Sequence, residues 1–201
     1  SYPYEWCFSQ LKDAALTTLR IQKLAMKHGM SLKDASAYNI QFHQARPVLI
    51  DTLSLAAYHE GEPWVAYRQF CQHFLAPLAL MAYRDASLGS LLRLHLDGIP
   101  LDLAAGLLAG RGRFSPRLAL HIRLHAKAQR RYARRPEAIR QQGRGRMSTR
   151  ALLGLLDSLE ASVRGLKPRS GPGDWRAYYR QFSYSDTAIE AKERIGAAFL
   201  D

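Results

Sequence analysis

The sequence is poor in cysteine and has no long apolar run. Cys7 and Cys71 are the two cysteines among 201 residues, which is too few for a disulfide scaffold and predicts a reducing, cytoplasmic compartment. No apolar run reaches the about 20 residues of a membrane-spanning helix, so no membrane partner is predicted. Residues 1–6 have neither the basic nor the apolar region of a signal peptide. The first residue is not Met, and we therefore expect a processed chain or a segment of a longer one.

Acidic residues are scarce in one stretch of the chain. The chain has 29 Lys+Arg against 17 Asp+Glu, a net charge of +12. Between Arg111 and Arg150 there are 13 basic residues and one acid, Glu137, so this stretch carries 13 − 1 = +12 and the remainder 16 − 16 = 0. An anionic partner at 111–150, including nucleic acid, is one interpretation. A solvated basic face, or a surface that receives another domain, is the alternative.

Hydrophobic periodicity predicts a mainly α-helical fold with a small β-hairpin near 39–51. The first helix is predicted over Phe8 to Lys27, with Ser9 as a possible cap and Gly29 just beyond its end. Pro77 should kink or split a long helix predicted over Pro63 to Arg84. Further helices are predicted at about 88–96, 101–108, 115–135, 148–163 and 187–200.

The segment before and within the hairpin carries the residues most suggestive of chemistry. Asp34 precedes Asn39 by five residues, and Asp51 follows Asn39 by twelve. This order resembles the catalytic loop and metal-binding Asp of the protein-kinase and aminoglycoside-phosphotransferase superfamily. The resemblance implies a kinase-like C-lobe in which Asp34 is the catalytic base. It also implies that Asn39 and Asp51 are metal ligands that hold Mg with ATP.

The sequence departs from that pattern at several positions. Leu32 and Lys33 stand where the kinase loop has His and Arg or Gly, and Asp51 is followed by Thr52 rather than Phe-Gly. No Gly-rich loop or strand lysine precedes the first helix. A pseudokinase lobe, or a purely structural role, is therefore an alternative. In the structural role, Asp34 caps a turn, Asn39 starts a strand and Asp51 ends one.

A second resemblance extends over nearly the whole chain. SYPYEW at 1–6, LKDASAYN at 32–39, PWVAYRQFC at 63–71 and WRAYY at 175–179 are similar to bacterial SAM-dependent methyltransferases related to host-specific nodulation proteins. In that family such a segment precedes a Rossmann-like methyltransferase domain. The resemblance implies that the C-terminal methyltransferase domain of the same polypeptide is the partner. SAM would bind in the parent protein and not in this fragment.

The chain alone is therefore expected to be an inactive accessory or substrate-recognition segment. The basic, Gly-containing run at 143–146 follows no predicted strand and is no SAM motif. The expected organisation is a kinase-like helical domain over 1–140, a basic Gly/Arg linker at 141–147 and a helical extension over 148–201.

Two further sets of residues have both a functional and a structural interpretation. His121 and His125 have the i, i+4 spacing of a metal pair, but no third ligand lies near them in the sequence. Cys71 could be a nucleophile, although its place in an apolar helical stripe favours a buried core residue. The aromatic residues Trp175, Tyr178, Tyr179, Phe182 and Tyr184 could form a recognition surface or a packing cluster.

Overall fold

The computed structural model describes residues 1–109, 116, 118–122, 147–168 and 185–199. Within them the protein is mainly α-helical with short antiparallel strands, as predicted. The helices are α1 (Phe8–Lys27), α2 (Tyr67–Phe70), α3 (Ala76–Tyr83), α4 (Leu91–Leu94), α5 (Leu101–Leu108), α6 (Thr149–Gly165) and α7 (Asp186–Ala198). The strands are β1 (Met30–Leu32), β2 (Ile40–His43), β3 (Arg46–Leu49) and β4 (Leu55–Ala57).

Helix α1 has the bounds predicted from its periodicity, but its N-cap is different. Cys7 is the N-cap, and its backbone N–H donates to Oε1 of Gln10 at 3.0 Å. The expected cap, Ser9, is already inside the helix, where its hydroxyl lies 3.1 Å from the Cys7 sulfur. At the other end Gly29 takes a φ of 69°, which only glycine adopts without strain and which ends the helix.

The predicted hairpin is formed by β2 and β3, in a register that pairs Ile40 with Leu49 and Phe42 with Pro47. Its turn consists of Gln44 and Ala45 alone. Both have positive φ, 48° and 59°, as in the two-residue turns that match the twist of a hairpin. Pro47 is tolerated in β3 because each strand of a two-stranded sheet is an edge strand.

A second small sheet was not predicted. Strand β1 pairs with β4, with Met30 opposite Ala57 and Leu32 opposite Leu55. The side chain of Gln22, fully buried in α1, accepts the Leu32 N–H at 2.7 Å and so ties this sheet to the helix. The hydrophobic pattern does not reveal β1 or β4, because a three-residue strand is too short to show a period.

The long helix predicted over 63–84 begins at Tyr67 and is split, as Pro77 suggested. Between α2 and α3 lies a π-helical turn, Cys71–Leu75, closed by the Ala76 N–H on the Cys71 carbonyl. Pro77 lies in the first turn of α3, where it has no N–H to donate to a carbonyl of the π turn. The Gln72 carbonyl leaves the helical ladder and accepts the Ile99 N–H at 3.0 Å.

The chain divides into two compact units, Ser1–Arg169 and Ser170–Asp201. In the first unit α6 packs on α1, and Lys23 of α1 lies 2.6 Å from the carboxylates of both Asp157 and Glu160. Helix α6 thus belongs with the first unit, whereas the sequence analysis placed a boundary before it. In the second unit Ser185 caps α7, and its hydroxyl accepts the Ala188 N–H. None of the helices in the described ranges is long and apolar enough to cross a membrane.

Candidate functional site

Two of the three site residues predicted from the sequence lie at the base of the β2–β3 hairpin. Asn39 precedes β2 directly, and Asp51 follows β3 after one residue. The Ile50 N–H donates to the Asn39 carbonyl at 2.9 Å and closes the base of the hairpin. Strand pairing therefore brings together two residues that are twelve positions apart in sequence.

A buried hydroxyl joins Asn39 to Asp51. The Asn39 amide Nδ2 donates to Ser54 Oγ at 2.9 Å, and Ser54 Oγ donates to Asp51 Oδ2 at 2.7 Å. The other carboxylate oxygen of Asp51 accepts the Leu53 N–H at 2.9 Å and caps the short 3₁₀ helix Thr52–Ser54. We call Asn39, Asp51 and Ser54 the hairpin cluster. Ser54 was not singled out from the sequence, because a single serine in a loop has no distinguishing pattern.

Asp34 occupies a separate turn after β1. Its Oδ1 accepts the Ser36 N–H at 2.8 Å, and Ala35 N–H donates to Gln69 Oε1 of α2 at 2.7 Å. Within the described residues no hydrogen bond joins Asp34 to the hairpin cluster. The structure thus links two of the three predicted residues through Ser54 and places the third in a turn that is held by α2.

A buried histidine that the sequence analysis did not assign lies in the π turn, close to Asp34. His73 is 2% exposed, and its ring meets the Tyr38 ring edge-on with centroids 6.3 Å apart. Burial lowers the pKa of His73 to about 4, although the negative charges of Asp34 and Asp97 oppose this shift. The imidazole is therefore neutral at pH 7. The sequence signal for it was weak, because a polar residue in an apolar stripe is compatible with a surface position.

A second group of polar side chains is buried between α2, the helical residues 118–122 and α6. Tyr67 Oη lies 2.6 Å from His121 Nδ1, and His121 Nε2 lies 3.0 Å from Ser158 Oγ. The Tyr67 hydroxyl also hydrogen-bonds the Cys71 thiol, which is fully buried. We call Tyr67, Cys71, His121 and Ser158 the core cluster.

Burial determines the chemistry of the core cluster. It raises the pKa of the Cys71 thiol and of the Tyr67 hydroxyl far above neutrality, so both keep their protons. Cys71 is thus a core residue, as its apolar surroundings suggested. Both ring nitrogens of His121 are engaged, which leaves neither for a metal, and His125 lies outside the described residues.

Several other predictions concern residues that the structure does not describe and therefore stay predictions. Most of the basic stretch 111–150, residues 141–146 of the linker and the aromatic residues at 175–184 lie outside the described residues. Among the described residues, no group of three or more His, Cys, Asp or Glu side chains is arranged to hold a metal ion. Both cysteines, Cys7 and Cys71, are free thiols.

Comparison with known proteins gives one informative relative. The chain is 36% identical, over 202 aligned positions, to the nodulation protein NoeA of Rhizobium meliloti (strain 1021). The alignment covers 100% of this chain but only 42% of that protein. No family model matches the chain, and no solved structure matches it, so the kinase-like resemblance has no structural counterpart among them. This chain is therefore similar, along its whole length, to less than half of a nodulation protein.

Proposed function

We propose that this chain is an accessory, substrate-recognition segment of a nodulation-related protein of the SAM-dependent methyltransferase family, with no SAM site of its own. The observation that carries the proposal is the extent of the similarity to NoeA, which includes every part of this chain and 42% of the relative. A segment that aligns end to end with part of a larger protein is best understood as one of its modules. The methyltransferase domain of the same polypeptide would be its partner.

The arrangement of the reactive side chains supports a recognition role. The thiol and the imidazole in the core cluster are enclosed, so they are out of reach of a substrate. The carboxylates of Asp34 and Asp51 each accept a backbone N–H within their own turn. Such contacts hold loops in place, and a rigid loop scaffold is what a recognition surface needs.

A domain exchange tests this proposal. We would replace the aligned region of NoeA with this chain and express the chimera in a Rhizobium meliloti strain that lacks NoeA. The chimera is expected to restore wild-type nodulation to that strain, since the two segments would perform the same task. A chimera that accumulates as a folded protein but behaves like the deletion strain would contradict the shared role.

The hairpin cluster favours a second candidate, binding of a Mg-nucleotide. Mg²⁺ is commonly bound through one or two carboxylates together with substrate phosphates. Asp51 fits this donor set in kind, because each of its oxygens accepts one hydrogen bond and retains a second lone pair. Asn39 now directs its amide nitrogen at Ser54, so its oxygen would have to be the ligand. Asp34 would then accept a proton from the attacking hydroxyl.

Calorimetric titration of Mg-ATP into the chain separates the two candidates. If the nucleotide interpretation holds, the wild type gives a saturable heat that Asp51→Asn abolishes and the surface variant Asp97→Asn retains. If neither protein gives heat, the nucleotide site is excluded and the recognition role stands. A polyanion partner at 111–150 stays a prediction, since most of that stretch lies outside the described residues.

A further inference from the structure

A long open groove crosses the first unit between α1, β3 and α6. It encloses about 1000 Å³. Seven of its lining residues come from α1 and run from Asp13 to Lys27. The fourteen steps from Asp13 to Lys27 rise about 21 Å, so the groove follows α1 for nearly four turns. The exposed positions among them, such as Arg20 and Lys27, lie on the side of α1 opposite the buried Leu11, Ala15 and Gln22.

The charge of the groove is mainly positive. It is lined by five cationic side chains and two acidic ones, a difference of 5 − 2 = +3. Glu160 is held by Lys23 and Arg164, both at 2.6 Å. For Arg20, Lys27 and Arg46, by contrast, no ion pair is formed with any described residue, and all three are exposed. The groove therefore has cations that are open to an external carboxylate.

The groove also has an aliphatic floor. Leu24 of α1 is 54% exposed and Val48 of β3 is 44% exposed, and Leu16 and Pro47 lie beside them in the lining. A free phosphate or a nucleic acid backbone gains nothing from such a surface. The carboxylates of Asp13 and Glu160 in the same lining would repel a continuous line of phosphates. An amphipathic peptide satisfies both features, because it presents acids and aliphatic side chains together.

The spacing of the open cations points to a helix as the bound form. Arg20 and Lys27 are seven residues apart on α1, which is two helical turns or about 10 Å. Two carboxylates seven residues apart on a second helix that lies along α1 have the same separation. Arg46 of β3 lines the groove as well and could receive a third carboxylate. The length of the groove suits a helix of about four turns.

We propose that the groove between α1, β3 and α6 binds an acidic amphipathic helix of a partner protein. The helix lies along α1 with its aliphatic face on Leu24 and Val48 and its carboxylates on Arg20, Lys27 and Arg46. This inference does not depend on the proposed function, because it concerns only the groove and the chemistry of its occupant.

The test uses a synthetic probe on the full chain. The probe is a fluorescent, end-capped peptide of about 18 residues in which Leu recurs at helical spacing and Glu fills the flanking positions. Fluorescence anisotropy should show saturable one-to-one binding. A peptide of the same composition in scrambled order, which has no apolar face, should bind at least about tenfold more weakly.

Variants in the groove assign the binding to this surface. The pair Arg20→Glu and Arg46→Glu should weaken binding of the probe about tenfold or more. Leu24→Ser should weaken it about fivefold through loss of apolar contact. The matched control is the pair Arg93→Glu and Arg150→Glu, which makes the same charge change at exposed positions outside the groove. This control should change the affinity by less than about twofold.

Several results would overturn the proposal. One is the absence of saturable binding of the probe to wild-type protein that is shown to be folded by circular dichroism. Equal binding of the ordered and scrambled peptides would show that the protein recognises the charge of the peptide and not its apolar face. Equal losses in the groove and control pairs would place the interaction elsewhere on this basic chain. Displacement of the probe by a single-stranded oligonucleotide, with the same sensitivity to Arg20→Glu and Arg46→Glu, would make the groove a polyanion site instead.

Discussion

The hairpin cluster and the core cluster use the same device in opposite surroundings. In both, a serine hydroxyl forms a hydrogen bond that connects separate segments. Ser54 bonds both Asn39 and Asp51, and Ser158 of α6 bonds His121. The hairpin cluster is half-buried and includes a carboxylate. The core cluster includes the fully buried Cys71, and the Cys71 thiol and the Tyr67 hydroxyl both stay protonated. Of these two clusters, the half-buried one thus holds the carboxylate, whereas the enclosed thiol and phenol of the other carry no charge.

The largest expected effect comes from opening the core cluster. His121→Ala removes a buried ring that contacts Tyr67 and Ser158 at once. It leaves a cavity and two polar groups without that partner, so it should lower the free energy of unfolding by about 3 kcal/mol. Urea denaturation measures this change. The exposed His59→Ala serves as the control and should have almost no effect, and a loss below about 1 kcal/mol in His121→Ala would mean that the core cluster does little for stability.

Because His73 is buried, the free energy of unfolding should depend on pH, with a change similar in size to the effect of His121→Ala. Its pKa is about 4 in the folded chain against about 6.5 when unfolded, so the unfolded state takes up the proton first. The contribution to stability is therefore present above about pH 6.5 and is lost as the pH falls toward 4. Between pH 7 and pH 5 the loss is about 2 kcal/mol.

A comparison of two proteins isolates the contribution of His73. Urea denaturation of the wild type and of His73→Gln at both pH values gives the difference in pH dependence between them. The wild type should lose about 2 kcal/mol more than the variant. Parallel pH profiles would show that the folded state binds the proton at His73 as readily as the unfolded state does.

The hairpin cluster should be less sensitive than the core cluster. Ser54→Ala removes the hydroxyl between Asn39 and Asp51, and both remaining groups can turn toward water. We expect a loss of about 1 kcal/mol in urea denaturation. Ser90→Ala, at an exposed serine that bonds only a neighbouring carbonyl, is the matched control. A loss as large as that of His121→Ala would erase the distinction between the two clusters.

The smallest expected effect is a gain at the tip of the same hairpin. Ala45 has a φ of 59°, a conformation that disfavours a residue with a Cβ atom. Ala45→Gly should therefore stabilise the chain by about 0.5 kcal/mol or slightly more. Ala57→Gly, in strand β4, should act in the opposite direction, because glycine gains nothing there and loses more chain entropy on folding. Thermal denaturation of both variants checks the two signs.

Long periodic segments were the most predictable part of the fold. Helices α1 and α5 have the bounds expected from their apolar spacing. The β1–β4 sheet could not be predicted because its strands have three residues each. Pro77 predicted an interruption of the helix near the π turn at Cys71–Leu75. The π-helical hydrogen bonds themselves have no pattern in the sequence that would predict them.

The candidate site was predictable only in its outline. The spacing of Asn39 and Asp51 around a hairpin implied that the two would meet, and they do so through Ser54. The core cluster joins residues from three distant segments, Tyr67, His121 and Ser158. Contacts of that kind arise from tertiary packing, and no local pattern encodes them. The groove is likewise a product of packing, since α1, β3 and α6 meet only in the folded chain.

We propose that this chain recognises a partner and does not itself hold the methyl donor. Calorimetric titration of SAM into the purified chain tests it most directly. We expect only the heat of dilution, at protein and SAM concentrations that would reveal a micromolar site. A saturable one-to-one isotherm would contradict it, because the chain would then possess a SAM site of its own.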